Sequence, residues 1–275
     1  MTICIAASCK HNNQHAIVLC ADYQGTKGDY IRADDTYKLF HFHQGHGAIS
    51  FAGDVNCGAE FAHRFTAVAR QFHELEKTKD DGDLDLRIGR YLAMVRDLAA
   101  EFKKERIDFA VRSGFGISLK EFYALDAARR DPEILNTVKS IGMGAEFLIA
   151  YMDDEEPIFI RIEQSGYVQI EDSEYVAIGS GVPLATAIFS QIDEEVQTLP
   201  ECLTWVYQAK LAAEKNPYVG NKTVIWILLE DRREFLPRPL GKFLRKPPEF
   251  RSRLSILNLR RSATTTCSLS TPKTR

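Results

Sequence analysis

At 275 residues, 45% of them hydrophobic and with a formal net charge of −3, the chain is long enough to bury a substantial core, yet no apolar run reaches the ~20 residues of a membrane-spanning helix. The N-terminus shows no basic segment followed by an apolar stretch, so no cleavable secretory signal is expected. Six scattered cysteines, Cys4, Cys9, Cys20, Cys57, Cys202 and Cys267, form no Cys-x-x-Cys pair, which fits free thiols in a reducing cytoplasm better than a disulfide framework.

Thr2 follows Met1 and opens the alternating strand Thr2-Ile3-Cys4-Ile5-Ala6-Ala7. Removal of Met1 would leave one residue with both a hydroxyl and a free α-amine, so nucleophile and base would share it. A second apolar strand, Ala16 to Ala21, ends on the carboxylate of Asp22 and leads to Gly25-Thr26. Lys38, in Asp35-Thr36-Tyr37-Lys38-Leu39-Phe40, sits at the entry to another apolar strand, a position where a charge needs a partner; Asp22 is the candidate. The strand Gly47 to Phe51 then stops at Gly53 and enters a helical pattern from about Val55. Such a strand-glycine-helix junction exposes backbone N–H groups that can hold an oxyanion.

Two helices are predicted at about 55–76 and 84–105, separated by the charged turn 77–83; Leu92, Val95, Leu98 and Phe102 mark the buried stripe of the second. Residues 107–140 exceed an ordinary connection and are read as an insertion with short helices. Strands follow at 146–153, 157–162 and 167–170, with Gln164-Ser165-Gly166 as a turn, and then Val176-Ala177-Ile178 runs into Gly179-Ser180-Gly181. A second helical pair, about 183–192 and 200–215, precedes a late apolar strand at 223–229. From Asp231 onward the chain carries 12 Lys or Arg against 3 Asp or Glu, whereas the preceding part has 23 against 35. This basic tail is read as a mostly disordered, solvated extension rather than a nucleic-acid surface. His41, His43 and His46 cluster near a hairpin turn, but no complementary ligand set accompanies them and no metal or other cofactor is expected.

Taken together, Thr2, Asp22, Lys38 and Gly53 resemble, in order, approximate spacing and strand context, the N-terminal half of the proteasome β-subunit-like N-terminal nucleophile hydrolases, a group that includes bacterial homologues of the Anbu type. The resemblance covers about residues 2–235. It implies an α+β fold, a four-layer αββα sandwich of two antiparallel sheets flanked by helices, in a domain at 1–240 followed by a tail at 241–275. It also implies catalytic roles: Thr2 as nucleophile, Asp22 and Lys38 as its charged support, Gly53 as oxyanion donor and Ser180 as the serine beside the threonine amine. Thr26 matches a position that holds the substrate chain extended. Thr36, Phe51 and Val55 match the pocket for the residue preceding the cut; a phenylalanine there and no charge nearby imply a preference for small or medium apolar side chains. One segment departs from the pattern: many members show Asp-x-x-Ser-Gly where this chain has Asn216-Pro217-Tyr218-Val219-Gly220, so Asn216 retains hydrogen-bonding capacity while Val219 has no hydroxyl.

The activity implied is that of a threonine-type endopeptidase. An α-amine titrates near about 7.7–8.0, so a useful fraction is free base near neutrality, and an adjacent ammonium shifts it further toward that form. Peptides or unfolded proteins are the implied substrates, a homo-oligomer the implied state, and an unfoldase an implied partner. Two alternatives keep the same scaffold: an amidase acting on small amides, and a noncatalytic assembly subunit, which Asn216 and Val219 leave open while Thr2, Asp22 and Lys38 argue against it.

Overall fold

The computed structural model describes residues 2–23, 25–27, 31–33, 36–42, 47–76, 84–126, 131–153, 156–192, 197–229 and 232–236. Met1, Asp35, His43, His46, the charged turn 77–83 and the basic tail from 237 onward lie outside the described residues.

The first hairpin joins β1 (Ile3–His11) to β2 (Gln14–Asp22). Its two-residue turn, Asn12-Asn13, has φ of 52° and 66°, the left-handed pair that matches the twist of a tight hairpin and that asparagine tolerates best after glycine. A short antiparallel ribbon of β3 (Gly25–Lys27) and β4 (Ile31–Ala33) follows. Next come β5 (Leu39–Phe42) and β6 (Gly47–Gly53), then after the central helices β7 (Ala145–Asp153), β8 (Glu156–Ile162), β9 (Val168–Glu171) and β10 (Tyr175–Gly179). The last strands are β11 (Thr223–Leu229) and β12 (Arg232–Leu236).

These strands make two five-stranded antiparallel sheets, ordered β10-β1-β2-β11-β12 and β5-β6-β7-β8-β9. Strand periodicity decides how they pack. Cys4 and Ala6 of β1, Ile17 and Leu19 of β2, Val224 and Trp226 of β11, Ala48 and Ala52 of β6, and Leu148 and Ala150 of β7 share one buried cluster, so each sheet turns one face toward the other. The alternate residues of the second sheet, among them Ile49, Phe51, Phe147, Ile149 and Ile160, form a different cluster with the helices α1 (Val55–Glu76) and α2 (Leu84–Phe115). The pairs Arg90–Glu76 at 2.5 Å and Arg64–Glu105 at 2.6 Å run those helices antiparallel. On the first sheet, Ile3 and Cys9 of β1 approach Gly181 and Cys202, at the N-cap of α5 (Val182–Phe189) and in α6 (Leu199–Ala213). The architecture is therefore mixed α+β, with two antiparallel sheets and, among the described residues, six helices. It is compatible with a sandwich, helices packing on the outer faces.

Besides the short β3–β4 ribbon, which the sequence reading did not include, two elements differ from the sequence expectation. Helix α2 does not stop near Glu105 but continues to Phe115, because Val111 extends its buried stripe onto α3 (Leu119–Ala124) and α4 (Pro132–Ser140) through Leu119, Phe122 and Ile134. Ser118 and Glu121 close a reciprocal cap on α3, and Asp131 caps α4 ahead of Pro132. The 107–140 segment is thus the end of one long helix plus two short ones. The second difference is β12, which adds an edge strand to β11 although Arg232-Arg233-Glu234 carries no apolar alternation. No helix among the described residues is long and apolar enough to cross a membrane.

Candidate active site

Three strand ends converge on Thr2. Thr2 precedes β1; Asp22 is the last residue of β2 and pairs in register with Thr223 of β11; Lys38 is the residue before β5. All three are enclosed, at 1%, 0% and 2% exposure. Burying charge at this depth requires partners, and the partners are each other. Lys38 Nζ lies 2.6 Å from Asp22 Oδ1 and donates a hydrogen bond to Thr2 Oγ1; Thr2 Oγ1 in turn donates to Asp22 Oδ1. The polarity is forced, because a lysine ammonium has donors only and the hydroxyl must accept from it, leaving the hydroxyl hydrogen for the carboxylate. Thr2 Oγ1 therefore sits between a cation that favours its alkoxide form and an acceptor for its hydrogen.

The carboxylate is held on its other side as well. Asp22 Oδ2 accepts from the backbone N–H of Gly220 at 2.7 Å. Burial pushes the Asp22 carboxyl above its ordinary value, and the Lys38 ammonium, the Gly220 amide and the more distant Lys210 ammonium pull it back. Two thiols lie nearby: burial pushes Cys4 and Cys20 up to about 12, so both are neutral at physiological pH. Cys4 Sγ donates to the carbonyl of Phe51 at 3.3 Å and ties β1 to β6 beside the site.

Gly179 explains how the backbone of Thr2 is seated. Its φ is +98°, and a Cβ at this position would lie 2.3 Å from the Thr2 carbonyl oxygen and 3.0 Å from Ala52 Cβ. Only glycine admits both the conformation and the close approach. The same contacts bring the end of β6 alongside Thr2, with Gly53 next in sequence after Ala52. Gly53 itself is half-buried at φ +140°, and the following amide, Asp54 N–H, donates to Gly144 at 2.9 Å. Asp54 Oδ1 then accepts from Cys57 N–H at 2.8 Å, starting α1 immediately beyond the glycine.

The remaining sequence-derived residues fall in three places. Ser180 Oγ donates to the Thr2 carbonyl at 3.4 Å, and Asn216 Nδ2 donates to the Ser180 carbonyl at 2.7 Å, so these two brace the main chain of Thr2. Thr36 is half-buried and its N–H donates to the Tyr23 carbonyl at 2.9 Å, while Val55 is the first residue of α1. Phe51 is fully enclosed, its ring packed between Phe40 and Phe147, where a Cβ on Gly58 would approach to 2.1 Å. Thr26 lies on β3, its backbone opposite Arg32.

Two contributors escaped the sequence reading. The Gly220 amide could not be read from a residue type, since any non-proline residue offers an N–H. Lys210 carried a signal: it interrupts the buried stripe Leu203, Val206, Ala213 of α6, as Lys38 interrupts its own apolar segment. No protein-family model and no curated protein matches the chain.

Proposed function

We propose that the chain is a threonine-type peptidase of the N-terminal nucleophile class, with the proteasome β-subunit-like αββα sandwich. The observation that carries this reading is the enclosed Thr2–Lys38–Asp22 constellation, in which a hydroxyl at the start of a strand is held between an ammonium and a carboxylate. After removal of Met1, the freed Thr2 α-amine replaces Asp22 Oδ1 as acceptor of the hydroxyl hydrogen and takes that proton as Oγ1 bonds to the peptide carbonyl carbon. The Gly53 N–H receives the oxyanion, and Lys38 stabilises the negative charge as it builds on Oγ1. Collapse breaks the C–N bond, the departing amine takes the proton from the α-amine, and water then hydrolyses the ester on Thr2. No step calls for a metal or other cofactor. Peptides or unfolded proteins are the substrates, a cytoplasmic homo-oligomer the working form, and an unfoldase a fitting partner.

The test is covalent. A peptide epoxyketone or β-lactone should add its mass to Thr2 in protein whose intact mass shows Met1 removed, and Thr2→Ala should abolish both labelling and peptide hydrolysis while remaining folded. Hydrolysis by Thr2→Ala at the wild-type rate, or retention of Met1 in every molecule, would sink the mechanism.

A further inference from the structure

Lys210 is a fully buried lysine that the proposed chemistry does not touch. Its ammonium donates to the carbonyl of Gly220 at 2.7 Å and pairs with Glu214 Oε1, one helical turn on, at 2.5 Å. Gly220 therefore has both of its backbone polar groups held: its carbonyl by Lys210 and its N–H by Asp22 Oδ2 at 2.7 Å. A glycine has no Cβ to narrow its dihedral angles, so its N–H points where those two bonds hold it. The chain of contacts runs Lys210, Gly220, Asp22, and from Asp22 to both Lys38 and Thr2.

A lysine interior to a helix and completely out of water carries a desolvation cost that one partly exposed glutamate offsets only in part. Helix packing does not require it, since a methionine of similar length would fill the same space with no charge to bury. What a cation here supplies that an apolar residue cannot is a donor for the Gly220 carbonyl and a positive charge behind the Asp22 carboxylate. The groups that set the electrostatics of that carboxylate are Lys38 from the segment before β5, the amide of Gly220 and Lys210 from α6; the thiols of Cys4 on β1 and Cys20 on β2 lie nearby and are neutral, and Glu214, the C-cap of α6, faces Lys210.

We propose that Lys210 is a positioning residue for the threonine site: by donating to the Gly220 carbonyl it fixes the amide that orients Asp22, and its charge stands behind the carboxylate that holds Lys38 against the nucleophile. Its catalytic part rests on the peptidase reading; its effect on Asp22 does not. The two are separated by titrating the Asp22 carboxyl directly by carbon-13 NMR, assigned with Asp22→Asn, in wild type and in Lys210→Met. Lys210→Met should move the Asp22 titration to higher pH. If the protein is a peptidase, the same variant should move the acidic limb of its kcat/KM profile the same way and lower kcat at neutral pH about ten- to a hundredfold, with KM little changed. An Asp22 titration unaltered in folded Lys210→Met overturns the proposal whatever the activity. An upward move in Lys210→Met, when the wild-type protein neither hydrolyses peptides nor takes the covalent probe, upholds the link and rejects the peptidase reading instead; a downward move overturns the proposal. Should Lys210→Met fail to fold, Lys210→Gln, neutral but still a donor, gives the same discrimination: an upward move supports the role of the charge, and an unmoved titration refutes it.

Discussion

Lys38→Met isolates what the ammonium contributes, because the methionine keeps most of the aliphatic stem in a site where the lysine is 2% exposed. Removing one partner of a buried pair leaves the other charge uncompensated, at a cost of about 3–5 kcal/mol. Asp22 has an escape, since a proton can neutralise it. Burial already raises the Asp22 carboxyl, and Lys38 is the largest of the influences that lower it. In the variant the folded state therefore binds a proton more tightly than the unfolded chain does. A group with a raised folded pKa contributes stability that is fully present below the unfolded value and is lost as pH rises through the folded one. The variant should thus be least impaired in acid and progressively worse toward alkaline pH, with a slope of up to about 1.4 kcal/mol per pH unit within that window. Denaturant unfolding of wild type, Lys38→Met, Asp22→Asn and the double variant across pH 5 to 9 measures this. Asp22→Asn should abolish the extra pH dependence in the Lys38→Met background, and the double-variant cycle should be strongly non-additive. A destabilisation that is the same at every pH, or additive cycles, would refute the pairing.

Gly179→Ala should cost about 1–3 kcal/mol from its φ of +98° alone, and should slow covalent labelling of Thr2 about a hundredfold because the new Cβ displaces the Thr2 carbonyl; wild-type labelling in the folded variant would contradict this. Gly89→Ala is the opposite case, an exposed glycine inside α2 whose added Cβ meets nothing within 4 Å, and it should raise stability by about 0.8–1.0 kcal/mol in denaturant titrations with labelling unchanged.

The parts of the site that were legible in the sequence are those where a residue type conflicts with its surroundings. Asp22 closes an apolar strand and Lys38 opens one, and each conflict is resolved by the other residue at 2.6 Å. The late strand at 223–229 was equally legible, since Thr-Val-Ile-Trp-Ile-Leu-Leu offers only β-branched, aromatic and aliphatic side chains. What was not legible depends on pairing at a distance. β12 exists because β11 presents a free edge to it, which no pattern within Arg232–Leu236 announces. The extension of α2 depends on partners, Leu119, Phe122 and Ile134, that lie beyond its own end. The Gly220 amide reaches Asp22 only because Thr223 pairs with Asp22 and the Tyr23 N–H donates to the Lys222 carbonyl at 3.2 Å, setting the approach of the whole segment.

The same segment explains why Val219 need not be a defect. Val219 is 6% exposed, and its Cγ2 lies 3.1 Å from where a Cβ on Gly181 would stand, so the position is packed against the turn that carries Ser180. A hydroxyl there would need a partner within that packing or lose its hydrogen bond to burial. The segment instead reaches the site through groups that do not depend on residue 219: the Gly220 N–H on Asp22, and the Asn216 amide on the Ser180 carbonyl at 2.7 Å. At 216 the geometry favours the amide over the acid. The contact is made to a carbonyl oxygen, which only a donor can satisfy, and an ionised aspartate would face that oxygen with lone pairs. Asn216 Oδ1 meanwhile accepts from Tyr218 N–H at 3.1 Å, closing the turn that delivers Val219 and Gly220. Asparagine at 216 and an apolar residue at 219 are thus matched to each other, one bracing the backbone of Ser180 by hydrogen bonding and the other bracing it by contact, and both leave the charged pair of Asp22 and Lys38 as the electrostatic centre around Thr2.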